Sequence, residues 1–182
     1  MTISFIQFSP EKAVAALTYL INGTTNDMYL ALKMLYVADK KHMAKSGRFI
    51  AGDNYVAMTN GATPSKTYDL VKFVRGDGSS HYGYPEVRNF FTIDAKSHQI
   101  TLSAAVPEQL LSPIAKECLD EVIEEYQRDD SFRHWYNAAH DRAWTKTKLS
   151  HPITGAPEMS DKAIASTIPN SDALLTYLEE FG

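Results

Sequence analysis

The sequence predicts an α+β protein that is predominantly α-helical, a compact helical domain with a small antiparallel β-hairpin packed on it. Most of the chain repeats apolar residues at spacings of three and four, which is the period of an amphipathic helix. One later segment instead alternates apolar and polar residues on both sides of a polar turn, which is typical of a hairpin. The chain, residues 1–182, is expected to form a single domain.

The first elements are an extended segment and two helices. Thr2–Phe8 is predicted to be an edge strand or a packed arm. Ser9–Glu11 has the capping, proline and acidic residues of a helix N-terminus, and Asn22-Gly23 ends this first helix. The second helix is predicted to begin after Asn26-Asp27 and to end at Gly47. The short connection between the helices indicates an antiparallel pair.

Two charged stripes are expected to be solvated faces of helices. The lysines of the second helix lie opposite its apolar face and are Lys33, Lys40, Lys41 and Lys45. A later helix is predicted over Pro107–Tyr126, where Ser112-Pro113 separates a short turn from the main helix. Its exposed carboxylates are Glu117, Asp120, Glu121, Glu124 and Glu125. An acidic surface that complements a basic partner is the alternative interpretation.

The middle of the chain is predicted to contain the extended elements. A short extended piece at Tyr55–Met58 precedes a turn at Gly61 and a helix over Thr67–Arg75. A loop rich in glycine and tyrosine follows, and it is either a partner-contact loop or a plain connection. Val87–Ile93 and Gln99–Leu102 then form the hairpin, with one buried and one wet face.

The C-terminal third is predicted to be helical with one polar interruption. Asp129–Ser131 caps a helix over Phe132–Trp144, and Thr145–Glu158 is expected to be a loop. Short helices follow from Met159 to Ser166 and again after Pro169, so that residues 145–182 form a C-terminal loop with short helices.

Composition limits the classes of function. The net charge of −4 argues against nucleic acid as the main partner, because no basic excess is present to displace counterions. Cys118 is the only cysteine, which excludes a disulfide within the chain and favours a reducing cytoplasm. The sequence shows neither a signal-peptide pattern nor an apolar run long enough to span a membrane.

The spacing of histidines, cysteine and glycines predicts no metal site, no cofactor and no phosphate loop. Asp39 and His42 lie three residues apart on a helix, so a contact between them would raise the pKa of the histidine. With His140 brought close by folding, the same pair is the basis of an alternative hypothesis, a hydrolase. A carboxylate and histidine pair is more often structural, so no catalytic residue is predicted.

The same polar residues support a binding interpretation. A framework of polar side chains is expected to form around the short extended piece and to stiffen a docking surface, and its members are Asp39, His42, Arg48, Asp53, Tyr55 and Tyr68. His140 and Trp144 are expected to pin the later helix to this framework. Tyr82, Tyr84 and Arg88 are the candidate partner-binding residues, because aromatic and arginine side chains dominate binding energy at interfaces.

Several strings resemble one known family. The strings are Lys33–His42, Gly47-Arg48, Gly52–Met58, Asn60-Gly61 and Pro64–Asp69, with a later echo at His140 and Trp144. Together they resemble the Panacea domain of the SocA-like antitoxin family, once filed as a domain of unknown function. The resemblance is densest over residues 9–69. Gly61-Ala62-Thr63 stands where the family usually has Gly-Pro-Val, and Ala139 replaces a threonine.

The resemblance implies an antitoxin that neutralises a protein toxin by direct binding. It also implies that the toxin is encoded by an adjacent gene, often in phage-derived DNA. A phage or prophage adaptor that binds a host protein is the alternative that shares the same sequence features.

Overall fold

Helices around two small sheets build the described part of the chain, which is residues 7–153 and 155–181 of this computed structural model. Its helices are α1 (Pro10–Gly23), α2 (Met28–Ser46), α3 (Ser65–Arg75), α4 (Pro113–Arg128), α5 (Phe132–Ala139), α6 (Arg142–Ser150), α7 (Asp161–Ala165) and α8 (Asp172–Phe181). Its strands are β1 (Tyr55–Met58), β2 (Gly61–Pro64), β3 (Phe91–Ile93), β4 (Ile100–Leu102) and β5 (Glu158–Met159). The predicted α+β, predominantly helical class is confirmed. The strand or arm predicted at Thr2–Phe8 lies outside the described residues as far as Ile6.

Capping residues set the ends of the first two helices as predicted. The Ser9 hydroxyl accepts a hydrogen bond from the Lys12 N–H at the start of α1. The Asp27 carboxylate accepts from the Leu30 N–H at the start of α2. Gly47 ends α2 with a φ of 74°, a left-handed conformation that costs glycine little. The predicted bounds of both helices are confirmed.

Two clusters of buried side chains share α2 as their common wall. The larger cluster joins α1, α3, α4 and the β3–β4 hairpin to α2, and includes Leu17, Leu20, Met34, Leu70, Phe91 and Leu119. The smaller cluster joins β1, β2, α5, α7 and α8 to the same helix, and includes Tyr36, Met43, Tyr55, Ala139, Ile164 and Leu178. The first three turns of α2, residues 28–38, are apolar on almost every side, so this part of the helix is buried on several faces.

The β-structure is more extensive than the sequence predicts. β3 and β4 form the predicted hairpin, with Phe91 opposite Leu102, but it starts later because Pro85–Asn89 forms a 3-10 turn. A second sheet has the strand order β2-β1-β5. Its β1–β2 hairpin turns between Met58 and Gly61, and β5 pairs with the free edge of β1.

The prediction of a single helix over Phe132–Trp144 is wrong, because the helix is interrupted at His140. His140 leaves the helical conformation, with φ −109° and ψ 40°. Asp141 then starts α6, since its carboxylate accepts from the Trp144 N–H. α6 continues to Ser150, so the first part of the predicted loop over Thr145–Glu158 is helical.

The two predicted solvated faces are confirmed at the exposed residues Lys45, Glu117, Asp120 and Glu124, and the prediction is wrong at Lys33. The two faces meet where α2 packs against α4. Lys41 and Lys45 each form an ion pair with Glu121, and Lys45 also pairs with Glu117. Lys33 is only 4% exposed, which is unusual for a lysine. The charged stripes therefore face each other across a helix pair.

Ser112-Pro113 divides the fourth helical segment as predicted. Glu108–Leu110 forms a separate 3-10 turn, and the Ser112 hydroxyl caps α4 by accepting from the Ala115 N–H. The short helices predicted near the C-terminus are present as α7 and α8.

Candidate partner-binding site

A buried carboxylate fastens α2 to the segment that follows it. Asp39 is 2% exposed and accepts hydrogen bonds from the Ile50 N–H at 2.7 Å and the Tyr55 hydroxyl at 2.6 Å. Within the described residues it has no ion-pair partner. Burial raises the pKa of Asp39 to about 7, although both hydrogen bonds oppose that shift. Asp39 therefore holds β1 in place by hydrogen bonding without a counter-ion.

His42 and Asp39 bond to different partners, so the hydrogen bond that their spacing allows does not form. Its Nδ1 lies 2.7 Å from the Arg48 carbonyl oxygen, to which it donates. Burial lowers the pKa of His42, which is opposite to the predicted direction. Arg48 joins this network through its carbonyl group, and its side chain is exposed.

Asp53 supplies the cap that α3 lacks locally. Pro64 precedes α3 and makes no side-chain cap. The Asp53 carboxylate instead accepts from the Lys66 and Thr67 N–H groups at 3.0 and 2.8 Å, and from the Thr67 hydroxyl at 2.6 Å. It is 6% exposed, and burial raises its pKa. The side chain thus ties the start of β1 to the start of α3.

The β1–β2 turn is held by two residues from the later helices. Trp144 donates its indole N–H to the Met58 carbonyl at 2.8 Å. The His140 Nε2 lies 3.2 Å from the Thr59 carbonyl oxygen, and its Nδ1 lies 2.7 Å from that of Tyr136. The structure thus places His140 and Trp144 against the turn beside β1.

Tyr68 lies apart from the other predicted framework residues. Its ring is half-buried and lies under the cations of Lys72 and Arg75, at 5.2 and 5.9 Å from the ring centre. It also lines the groove between α2, the β1–β2 hairpin and α3. Tyr68 therefore shapes a surface next to the framework.

Asp141 is a central polar residue that the sequence reasoning missed. One carboxylate oxygen accepts from the Tyr36 hydroxyl and the Lys40 ammonium, both at 2.9 Å. The other oxygen caps α6 through the Trp144 N–H. An aspartate before a periodic segment is a helix-start signal, so the cap was detectable, whereas its two partners on α2 were not.

A groove of about 240 Å³ opens between α2, the β1–β2 hairpin and α3. The residues that line it are Tyr29, Leu32, Lys33, Met58, Thr59, Asn60, Ala62, Thr63 and Tyr68. Lys33 donates from Nζ to the Asn60 carbonyl at 2.6 Å, and burial lowers the pKa of this lysine. The sequence held a signal for its burial, since Lys33 lies within an apolar run that covers every side of the helix.

An exposed aromatic stripe lies on α5 beside this groove. Phe132 and Tyr136 are 57% and 37% exposed, and their ring centres are 5.8 Å apart. The His140 ring stacks on Tyr136 at 3.8 Å. Lys33 Nζ lies 6.0 Å from the centres of both the Phe132 and the Tyr136 ring, so the stripe and the groove are continuous.

The predicted contact residues Tyr82, Tyr84 and Arg88 lie in the loop after α3 and the following 3-10 turn. Tyr82 is 40% exposed and donates its hydroxyl to Asp69 at 2.6 Å. Tyr84 is half-buried. The Arg88 guanidinium stacks on the Phe73 ring at 3.9 Å. The loop is therefore anchored to α3, while Tyr82 remains 40% exposed.

The residues of the hydrolase hypothesis bind separate groups. Asp39, His42 and His140 each use their polar atoms on different groups of the fold. Among residues 7–153 and 155–181, no cluster of histidine, cysteine or acidic side chains is arranged to hold a metal ion.

The comparison with known families identifies the chain. The sequence matches the family described as "Antitoxin SocA-like, Panacea domain" over residues 32–145, which is more than half of its length. The chain therefore belongs to the SocA-like Panacea family. No curated protein and no solved structure matches it. Within the described ranges, no helix has both the length and the apolar character needed to cross a membrane.

Proposed function

We propose that the protein is an antitoxin that neutralises a cognate protein toxin by direct binding. The observation that carries this proposal is the family match over residues 32–145. The matched range runs from within α2 to the start of α6, and so includes the buried carboxylates, the aromatic stripe and every groove-lining residue except Tyr29. We expect the toxin to be the product of an adjacent gene. We place both proteins in the cytoplasm, consistent with the single, unpaired and buried Cys118.

The hydrogen bonds of the buried carboxylates support a binding function over the alternative of a hydrolase. Asp39 and Asp53 have every oxygen committed to backbone or hydroxyl donors of the fold. A general base must reach the proton that it removes, and these carboxylates are buried under other groups. Their arrangement supports a stiff scaffold under a binding surface.

Two surfaces with exposed aromatic residues lie within the family-matched range, residues 32–145, whereas α8 lies outside it. The first consists of Tyr82, Tyr84 and Arg88, the contact residues proposed from the sequence. The second is the exposed stripe of Phe132 and Tyr136 on α5. Aromatic residues enrich the energetic centres of interfaces, and the second surface is both more exposed and next to a groove. We therefore propose the α5 stripe as the main contact and the loop as its edge.

Co-expression with the adjacent gene product tests this function. We expect the wild-type chain to restore growth and to co-purify with the toxin. The Phe132→Ala/Tyr136→Ala variant is expected to lose both properties. Tyr177→Ala/Phe181→Ala is the matched control, because these α8 residues are also exposed aromatics, at 48% and 69%.

Two results would speak against the proposal. Absence of both rescue and complex with folded wild-type protein would contradict the antitoxin function. Capture of a host protein without rescue of growth would favour the adaptor alternative.

A further inference from the structure

Lys33 differs from the other three lysines of α2 in its interaction partners. Lys40 pairs with Asp141, Lys41 with Glu121, and Lys45 with two glutamates. Within the described residues, Lys33 has no carboxylate within ion-pair distance. The one hydrogen bond recorded for its ammonium goes to the Asn60 carbonyl at 2.6 Å.

This ammonium is also the most deeply buried of the four. Lys33 is 4% exposed, whereas the side chains of Lys40, Lys41 and Lys45 are 21%, 31% and 34% exposed. A lysine ammonium has three N–H donors. The Asn60 carbonyl and the two nearby aromatic rings do not neutralise its charge as a carboxylate would. Burying such a charge is unfavourable unless it is paired. The charge of Asp27 favours the charged form of Lys33 but the two groups form no ion pair, so the ammonium has no direct counter-ion among the described residues.

The position of the ammonium gives a ligand access to it. Lys33 and its acceptor Asn60 both line the groove, and Asn60 and Thr59 are themselves exposed at its edge. The groove walls on either side are apolar or aromatic, with Tyr29, Leu32 and Met58 among them. Its volume of about 240 Å³ fits one side chain with its neighbouring backbone.

We infer that this groove binds a carboxylate carried on an apolar segment, and that Lys33 is its counter-ion. The inference rests on the proposed function for the identity of the occupant, which is an aspartate or glutamate of the toxin flanked by an apolar side chain. The carboxylate pairs with the Lys33 ammonium, and the apolar neighbour covers the α5 stripe of Phe132 and Tyr136. Charge complementarity selects this occupant over a neutral apolar segment.

A pair of small ligands tests the groove on the unchanged chain. 4-Phenylbutyrate carries an apolar ring and a carboxylate, and 4-phenylbutyramide has the same shape without charge. We expect the acid to give saturable amide shifts at Thr59, Asn60 and Thr63 in ¹H–¹⁵N spectra, and the amide to give much smaller ones. Equal shifts with both ligands, or no shift with the acid at millimolar concentration, would overturn the inference.

Charge variants test the counter-ion. Lys33→Met should abolish the response to the acid, and Lys33→Arg should retain it because the positive charge is kept. Lys41→Met is the matched control, since it removes a lysine from the same helix on another face. A folded Lys33→Met chain that still responds to the acid as the wild type does would contradict the role of Lys33.

The same variants separate this inference from the antitoxin function. Lys33→Met is expected to weaken toxin binding by roughly tenfold to a hundredfold, the loss of one charge-assisted hydrogen bond. Toxin binding that is equal in wild type and folded Lys33→Met would overturn the inference and leave the antitoxin function intact. Selective binding of 4-phenylbutyrate without any binding of the toxin would support the groove and contradict the antitoxin function.

Discussion

Asp39 shows how a single residue sets the local geometry. Its carboxylate is buried without a counter-ion among the described residues, and it bonds to the Ile50 N–H and the Tyr55 hydroxyl. The Tyr55 ring is held in turn between Tyr36 and Phe49, at 4.9 and 5.1 Å. Removal of either hydrogen-bond partner would leave a buried polar group unsatisfied. The free energy lost in this way exceeds the net stabilisation that the intact hydrogen bond provides.

The raised pKa of Asp39 predicts a pH-dependent stability. Burial raises this pKa from 3.8 to about 7 in the folded state. Between these values the folded chain holds a proton that the unfolded chain has released, so the Asp39 contribution to the free energy of unfolding falls as pH rises. We expect the free-energy difference between wild type and Asp39→Asn to decrease from about pH 4 to about pH 7, as measured by urea denaturation.

The comparison with the variant is necessary because His42 acts in the opposite direction. Its lowered pKa makes its contribution to stability rise as pH increases towards the value of the unfolded chain. This contribution is present in both proteins and cancels in the difference. A difference that stays constant over this pH range would contradict the account of Asp39.

The close packing at Gly61 leads to a second prediction for a single residue, which concerns the free energy of unfolding. A Cβ at this position would lie 2.9 Å from the Ala139 Cβ and 3.0 Å from the Ala139 carbonyl oxygen, and the φ is 110°. Gly76 has a similar φ of 96° but no neighbour within 4 Å. We expect Gly61→Ala to lower the free energy of unfolding by about 1–3 kcal/mol more than Gly76→Ala does, because of overpacking against α5.

Thermal and urea unfolding of the two glycine variants would measure this difference. Equal losses would show that only backbone strain matters and that the contact between the β1–β2 turn and α5 is unimportant.

At the scale of elements, most helix N-termini are set by residues next to them in the sequence, whereas the contacts between elements depend on distant residues. Ser9, Asp27, Ser112 and Ser131 are each followed by the helix that they cap. Such signals lie within four residues of each other, so the sequence predicts them. α3 is capped instead by Asp53, whose carboxylate arrives from before β1 and β2.

Replacement of Asp53 should therefore destabilise α3 from a distance. We expect Asp53→Ala to lower the free energy of unfolding by about 2–3 kcal/mol, since a cap and a buried hydroxyl lose their acceptor together. Asp77→Ala is the control at the other end of α3, where the carboxylate is exposed and pairs with Arg75. A surface pair of this kind is worth at most about 1 kcal/mol. Equal effects in urea denaturation would contradict the capping role.

The elements that the sequence did not predict depend on distant partners. β5 has two residues and is a strand only because Tyr55 pairs with Met159. The break between α5 and α6 depends on Asp141, one of whose carboxylate oxygens accepts from both Tyr36 and Lys40 of α2. Lys33 is only 4% exposed because its side chain packs between α5 and the β1–β2 turn, at the wall of the groove. These contacts join residues that are far apart in the sequence, so the apolar periodicity of a short segment cannot predict them.

At the scale of the whole molecule, α2 makes the two buried clusters depend on each other. It contributes Met34 to the larger cluster and Tyr36 and Met43 to the smaller one. We propose on this ground that the described residues fold as one domain. We expect a single cooperative transition in calorimetry, with equal van't Hoff and calorimetric enthalpies.

Two resolved transitions would contradict this expectation. Trp135 lies in the larger cluster and Trp144 packs against the smaller one, so fluorescence of the two single-tryptophan variants reports on each cluster separately.

At the same scale, we propose that this fold binds a protein toxin. Calorimetric titration of the purified product of the adjacent gene into the purified chain tests it most directly. The account predicts saturable binding that the Phe132→Ala/Tyr136→Ala variant loses and the Tyr177→Ala/Phe181→Ala variant keeps. No binding by the folded wild-type chain, or equal binding by both variants, would contradict it.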